Sequence, residues 1–205
     1  KQLILISGSA GAGKTTVARR LANHLKADWL QVDAIWISIR EALPEGHPDR
    51  ELLKFDEVIR EGNLSVAELV DRHIAAGQVV CRSLHKTLDF MVHSSDRTVA
   101  DGAWMLPAFI AGLELPDTRI HSVVIHESDQ PEVRAAMDSR RKVKTVAPWH
   151  DRSSRTAWSY GNWLASEATR VGIPLVSARP RGTLLTRVLD VLGLGAGVNS
   201  ARNDD

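Results

Sequence analysis

Gly8-Ser9-Ala10-Gly11-Ala12-Gly13-Lys14-Thr15 matches the pattern G-x-x-x-x-G-K-[ST] at every fixed position. Small residues let such a loop curl around a polyphosphate with successive backbone N–H groups pointing inward, and the N-terminus of a following helix adds its positive end. Lys14 would then reach the β- and γ-phosphates, the Thr15 hydroxyl would coordinate magnesium, and Thr16 belongs to the same cradle. The chemistry predicted is binding of ATP with Mg2+. A glycine-rich tight turn before a helix would need neither the Lys-Thr pair nor a buried strand upstream. The dinucleotide spacing G-x-G-x-x-G is absent.

The elements around the loop suit that chemistry. Leu3 to Ile6 is a short apolar run, which reads as a strand buried on both faces. Val17, Leu21 and Leu25 then recur on one helical face from Lys14 to Lys26. Trp29 to Val32 predicts a second strand ending at Asp33, and Ile35, Ile39 and Leu43 predict a helix that stops at Pro44. The polar stretch from Glu41 to Asn63 is long for a simple connection and reads as an inserted substrate-side element. A helix is expected from Val66 to Gly77, and another from Arg82 to Val92. Arg97 to Asp101 and Ile120 to His126 predict strands three and four. A helix from Pro131 to Lys142, a charged stretch from Lys144 to Arg155 and a helix from Thr156 to Val171 follow. Pro174 to Ser177 predicts the fifth strand, and Thr183 to Leu192 the last helix. Alternating strands and helices imply a parallel sheet covered on both faces, with ligands at the carboxyl ends of the strands.

Composition narrows the function class. The 205 residues carry 26 basic and 25 acidic side chains, a formal net charge of +1, so no global field favours a polyanionic partner and no nucleic-acid binding is expected. The apolar runs are too short for a signal segment or a membrane span. A single cysteine, Cys81, sits in an apolar run and reads as a buried, inert thiol, which fits a reducing, cytoplasmic setting. Eight histidines lack the H-E-x-x-H spacing, so no structural zinc site is expected.

With the loop, an acidic residue at the end of strand two, an Asp-Gly ending strand three, an arginine-bearing segment after strand four and an Arg-Pro after strand five, the chain resembles the P-loop kinases of the nucleoside-monophosphate-kinase type. This group includes shikimate and gluconate kinases and is similar to 2-phosphoglycerate-kinase-like and zeta-toxin-like phosphotransferases. The resemblance implies an α/β fold, the P-loop NTPase three-layer αβα sandwich. Its five-stranded parallel sheet would have the order 2-3-1-4-5, with a helical lid and a substrate-binding insert. On that pattern residues 1–193 form the kinase domain, with an insert near 36–63, a lid near 137–156 and a flexible tail from 194.

The resemblance also assigns roles. Asp33 would take or orient the acceptor hydroxyl's proton, although an Asp there also suits a helix N-cap. Arg40 would hold an anionic acceptor group, or else lie on a solvated helix face. Asp101, with Gly102, occupies the place of the Walker B carboxylate that orients magnesium's water shell, and an Asp-Gly turn would look the same. Beside the resemblance, the neighbouring Trp104, Leu106 and Pro107 would wall the acceptor pocket or else pack in the core, where the six tryptophans of one domain more often lie. Arg134, Arg140, Arg141, Lys142, Lys144, Arg152 and Arg155 crowd the lid, where one or two would touch the transferring phosphate, Arg140 first and Arg134 second. Arg179 would stack on the adenine ring. The implied activity is transfer of the γ-phosphoryl group to a small-molecule acceptor. A nucleoside monophosphate kinase and a nucleotide-dependent switch remain as alternatives, the missing N-K-x-D motif arguing against an ordinary GTPase. The acceptor and the oligomeric state are left open.

Overall fold

A computed structural model describes residues 1–141 and 147–195, the Arg141 side chain excepted. The expectations for Arg141, Lys142 and Lys144, and for most of the tail, lie outside it. The elements are β1 (Gln2–Ser7), α1 (Lys14–Leu25), β2 (Asp28–Gln31), α2 (Val32–Ala42), α3 (Pro48–Leu53), α4 (Phe55–Glu61), α5 (Val66–Ser94), β3 (Arg97–Gly102), α6 (Pro107–Ala111), β4 (Arg119–His126), α7 (Gln130–Arg141), α8 (Pro148–Arg170), β5 (Leu175–Ser177) and α9 (Leu184–Val191). The strands form one parallel sheet in the order β2-β3-β1-β4-β5, as expected.

β1 is buried on both faces, and its alternate residues feed two separate cores. Ile4 and Ile6 pack with Val17, Leu21, Leu184 and Val188 beneath α1 and α9. Leu3 and Leu5 pack with Leu69, Leu84, Leu88, Tyr160 and Leu164 beneath α5 and α8. The three layers follow from this alternation. β1 lies between β3 and β4, with Ser7 in register with both Gly102 and Val124, so the chain leaves the sheet at a topological switch point.

Several local expectations are corrected. Strand two ends at Gln31, which is also the N-cap of α2, so Asp33 stands in the first turn of that helix and is neither the strand's last residue nor its cap. Gly77 does not end a helix: α5 runs through it for 29 residues. A Cβ at Gly77 would lie 2.7 Å from Leu106 Cδ2, so the glycine lets the chain after β3 approach the helix. The charged stretch near Arg155 and the helix after it are one 23-residue helix, α8, opened by Pro148 in its first turn. α6 was not anticipated. The span from Glu41 to Asn63 holds α3 and α4, which bury Leu53, Phe55 and Ile59 in the main core. Leu194 donates to the Leu189 carbonyl at 2.8 Å and packs on the α1 side.

Candidate active site

Four chain segments meet at the carboxyl edge of the sheet. The loop after β1 needs its glycines: Gly11 and Gly13 have φ of 83° and 90°, in the left-handed region. At Gly8 a Cβ would lie 2.5 Å from the Ile125 carbonyl oxygen, so the loop passes close against β4. At Gly13 the added atom would meet the Arg181 guanidinium, which donates to the Ala12 and Gly11 carbonyls at 2.6 and 2.7 Å. Arg181 thus ties the loop's outward-facing carbonyls, and with them the orientation of its amides. On the other side, a Cβ at Gly161 of α8 would lie 2.7 Å from Ser9 Oγ, so α8 lies against the loop.

Lys14 is 5% exposed. Burial holds its ammonium below the ordinary value, and the Asp33 and Asp101 carboxylates oppose that shift. Asp101 accepts the Thr15 hydroxyl at 2.7 Å and the Trp29 indole N–H at 2.8 Å. Burial raises its carboxyl, and those two hydrogen bonds counter it. A loop hydroxyl and a strand-end carboxylate in direct contact are a suitable oxygen set for an octahedral divalent cation, held by few protein oxygens and several waters. Gly102 has a packing role: a Cβ there would lie 2.6 Å from Val32 Cβ, so it brings the start of α2, with Asp33, against β3.

Two cavities flank Lys14. One, of about 570 Å³, is lined by Gly11, Gly13, Thr15, Thr16, Arg179 and Arg181 among others. The second, of about 290 Å³, is lined by Asp33, Trp36, Phe55, Asp56, His73 and Trp104 among others. Lys14, Met137 and Arg140 belong to both linings.

The second cavity is built by the segment after β3. Three successive carbonyls there each accept a buried side-chain donor: Ala103 from Tyr160 at 2.7 Å, Trp104 from Cys81 at 3.3 Å, and Met105 from Ser7 at 2.8 Å. This fixes Trp104, which stacks on Trp36 with centroids 5.0 Å apart and lies 4.3 Å from His73. Burial pushes the Cys81 thiol up to about 11, so it remains a protonated donor. His73 stacks on Tyr160 at 3.8 Å. Burial, with help from Lys14, lowers its pKa to about 3, so the ring is neutral.

The other expected residues fall as follows. Arg140 reaches both cavities. Arg134 bonds Asp138 at 3.2 Å and Asp151 at 2.8 Å, joining α7 to α8, and lines neither cavity. Arg152 donates to the Ile59 carbonyl at 3.1 Å, and Arg155 lies 3.9 Å from Asp151. Arg40 pairs with Glu41 at 2.8 Å and covers Trp36 at 5.3 Å, so its contact with the smaller cavity runs through that indole. Arg179 is engaged by Glu127 and Glu132 at the rim of the larger cavity. Leu106 and Pro107 are buried outside the lining, leaving Trp104 of that trio in the wall. Sequence reasoning missed Trp29, Phe55, Asp56, His73 and the loop-tying role of Arg181. Strand register puts Gln31 beside Asp101 and so Trp29 on the same edge, but the insert residues carried no spacing signal.

No protein-family model matches the sequence, and no curated protein matches it. Solved structures do match in fold. A sugar kinase from Janibacter aligns with a TM-score of 0.56 at 15% identity, over 96% of this chain and 97% of its own. A gluconokinase from Sinorhizobium meliloti aligns at 0.51 and 16%, over 94% and 91%. A shikimate kinase from Bacteroides thetaiotaomicron aligns at 0.52 and 15%, over 94% and 98%. With its sheet order, its lysine-bearing loop after β1 and these end-to-end alignments, the chain has the P-loop kinase fold.

Proposed function

We propose that this protein is an ATP- and magnesium-dependent kinase that transfers the γ-phosphoryl group to the hydroxyl of a small acceptor. The observation that carries this reading is the pair of cavities sharing Lys14 and Arg140. Phosphoryl transfer needs a donor and an acceptor on opposite sides of one phosphorus atom, with cations at that boundary to meet charge on the equatorial oxygens.

In this reading the backbone amides of residues 8–15 grip the polyphosphate, with Arg181 holding the loop's shape and Arg179 at the nucleotide's rim. Thr15 and Asp101 would hold magnesium, which would supply neutralisation of the phosphate charge. Lys14 and Arg140 stabilise the transferring group. Asp33 orients the acceptor hydroxyl and takes its proton as the new P–O bond forms and the bond to the β–γ bridging oxygen breaks, releasing ADP. The desolvation of Lys14 strengthens its attraction for a phosphate oxygen, since charge interacts more strongly away from water. Arg134 acts at one remove by bracing α7, which carries Arg140.

The test is ADP release measured with and without magnesium across a panel of hydroxyl compounds. Stimulation by an acceptor, lost in Lys14→Ala, is expected. Hydrolysis that no acceptor accelerates, with product analysis finding no phosphorylated compound, refutes the reading.

A further inference from the structure

Resting on the kinase reading above, we propose that the acceptor is a hydroxyl-bearing amine, a cation with an apolar ring or chain, and that Asp56 and His73 select it. Asp56 would receive the ammonium group, and His73 would hydrogen-bond the acceptor's polar edge.

The charges around the smaller cavity divide by place. Lys14 and Arg140 stand at the boundary with the nucleotide cavity, where phosphate oxygens claim them. Asp33 belongs to that reacting end, since its charge acts on Lys14. Asp56 stands apart on α4, at the exposed mouth. The cations beside it in sequence are committed elsewhere: Lys54 to Glu51 at 2.8 Å, and Arg60 over the Trp149 ring at 5.3 Å. A carboxylate or phosphate acceptor would enter past one acidic group and sit beside a second. An ammonium meets an opposite charge there, and its apolar part then meets the aromatic wall of Trp36, Phe55 and Trp104, where Trp36 already carries the Arg40 guanidinium.

His73 supplies the independent observation. It is 8% exposed and contributes to the cavity wall, and among the described residues neither ring nitrogen has a hydrogen-bond partner. Buried polar groups left unpaired are uncommon and costly, and a cavity wall is where a ligand can complete them. Tyr160, Trp104 and Phe55 crowd the ring at 3.8, 4.3 and 4.5 Å between centroids. Both nitrogens are enclosed as the ring stands, and a half-turn about the Cβ–Cγ bond, which exchanges each with a ring carbon, would bring nitrogen to the edge that meets the ligand. A neutral imidazole offers one donor and one acceptor, which suits a hydroxyl. The ammonium nitrogen has no lone pair, so the hydroxyl oxygen attacks phosphorus, its proton goes to Asp33, and the amine keeps its charge.

Tryptophan fluorescence of the full chain tests this with three probes of one skeleton: phenylethanolamine, styrene glycol and mandelate. The cation is expected to bind about tenfold tighter than the neutral diol, a margin typical of one favourable charge contact, with mandelate weakest. Asp56→Asn should erase the amine's advantage over the diol, and His73→Phe should weaken both several-fold. Magnesium–ATP affinity, measured in parallel against Lys14→Ala, should be the same in both variants as in the parent chain. Equal or tighter binding of mandelate overturns the inference. So does an Asp56→Asn variant that keeps the amine preference, or ATP binding with no response to phenylethanolamine. Failure to bind ATP would instead overturn the kinase reading.

Discussion

The two cavities that meet at Lys14 are built in opposite ways. On the proposed reading, the nucleotide side draws on three stretches of chain, within residues 11–20 of the loop and α1, 132–140 of α7, and 179–185 beyond β5. The acceptor side draws Asp33 from α2, Phe55, Asp56 and Ile59 from α4, His73 from α5, Trp104 from beyond β3 and Ser153 from α8. The first begins as a backbone device, in which glycines allow amides to converge and the Arg181 side chain ties the loop's carbonyls. The second is a side-chain device, whose shape depends on long-range packing and whose chemistry depends on burial. On the proposed reading, holding a polyphosphate suits the first and choosing an acceptor suits the second.

Substitutions should separate the two. Lys14→Ala, at the boundary, is expected to lower turnover by about 10³-fold, the scale of removing a strong transition-state donor. Without nucleotide the same variant should be no less heat-stable than the parent chain, because it removes a desolvated cation; scanning calorimetry checks this. Asp33→Asn should lower kcat by about 10²-fold while leaving ATP affinity intact, since general-base assistance is an acceptor-side contribution. If ATP affinity falls as much as kcat, Asp33 serves the nucleotide side and the division fails there. Arg181→Ala should lower ATP affinity by about tenfold, the loss of charged hydrogen bonds to the loop, and leave acceptor probes unaffected.

Acid should find the acceptor side first. His73 has a folded-state pKa of about 3 against 6.5 when free, so the unfolded chain binds the extra proton between those values. Stability from this group is therefore complete above pH 6.5 and is lost as pH falls toward 3, by up to roughly 1.4 kcal/mol per pH unit. Denaturant titrations should show a shallower acid slope in His73→Phe. The smallest effect is expected from Tyr160→Phe. It removes one buried hydrogen bond to the Ala103 carbonyl and should cost about 1 kcal/mol, with a measurable change in acceptor binding and none in ATP binding.

The same division governs how much could be read before the fold was known. The loop was legible because its residues are neighbours and their spacing is the chemistry. Asp101 was legible as a strand-end carboxylate, and its contact with Thr15 follows from two adjacent strands pointing the same way. Gly77 misled because a glycine inside a helix reads as a stop, whereas its reason is Leu106, nearly thirty positions away in the chain and pressed against it. Asp33 was expected at a strand end and stands on a helix, since α2 begins immediately after β2 with no connecting loop.

Local sequence alone determined the alternation of strands and helices, the parallel sheet with two covered faces and the glycine loop between β1 and α1. Each of these depends on periodicity or on backbone freedom within a few residues. Only the tertiary structure decided what lines the smaller cavity. Whether an aspartate is paired or open, or a histidine charged or neutral, depends on groups brought together from distant positions and on how much water they exclude.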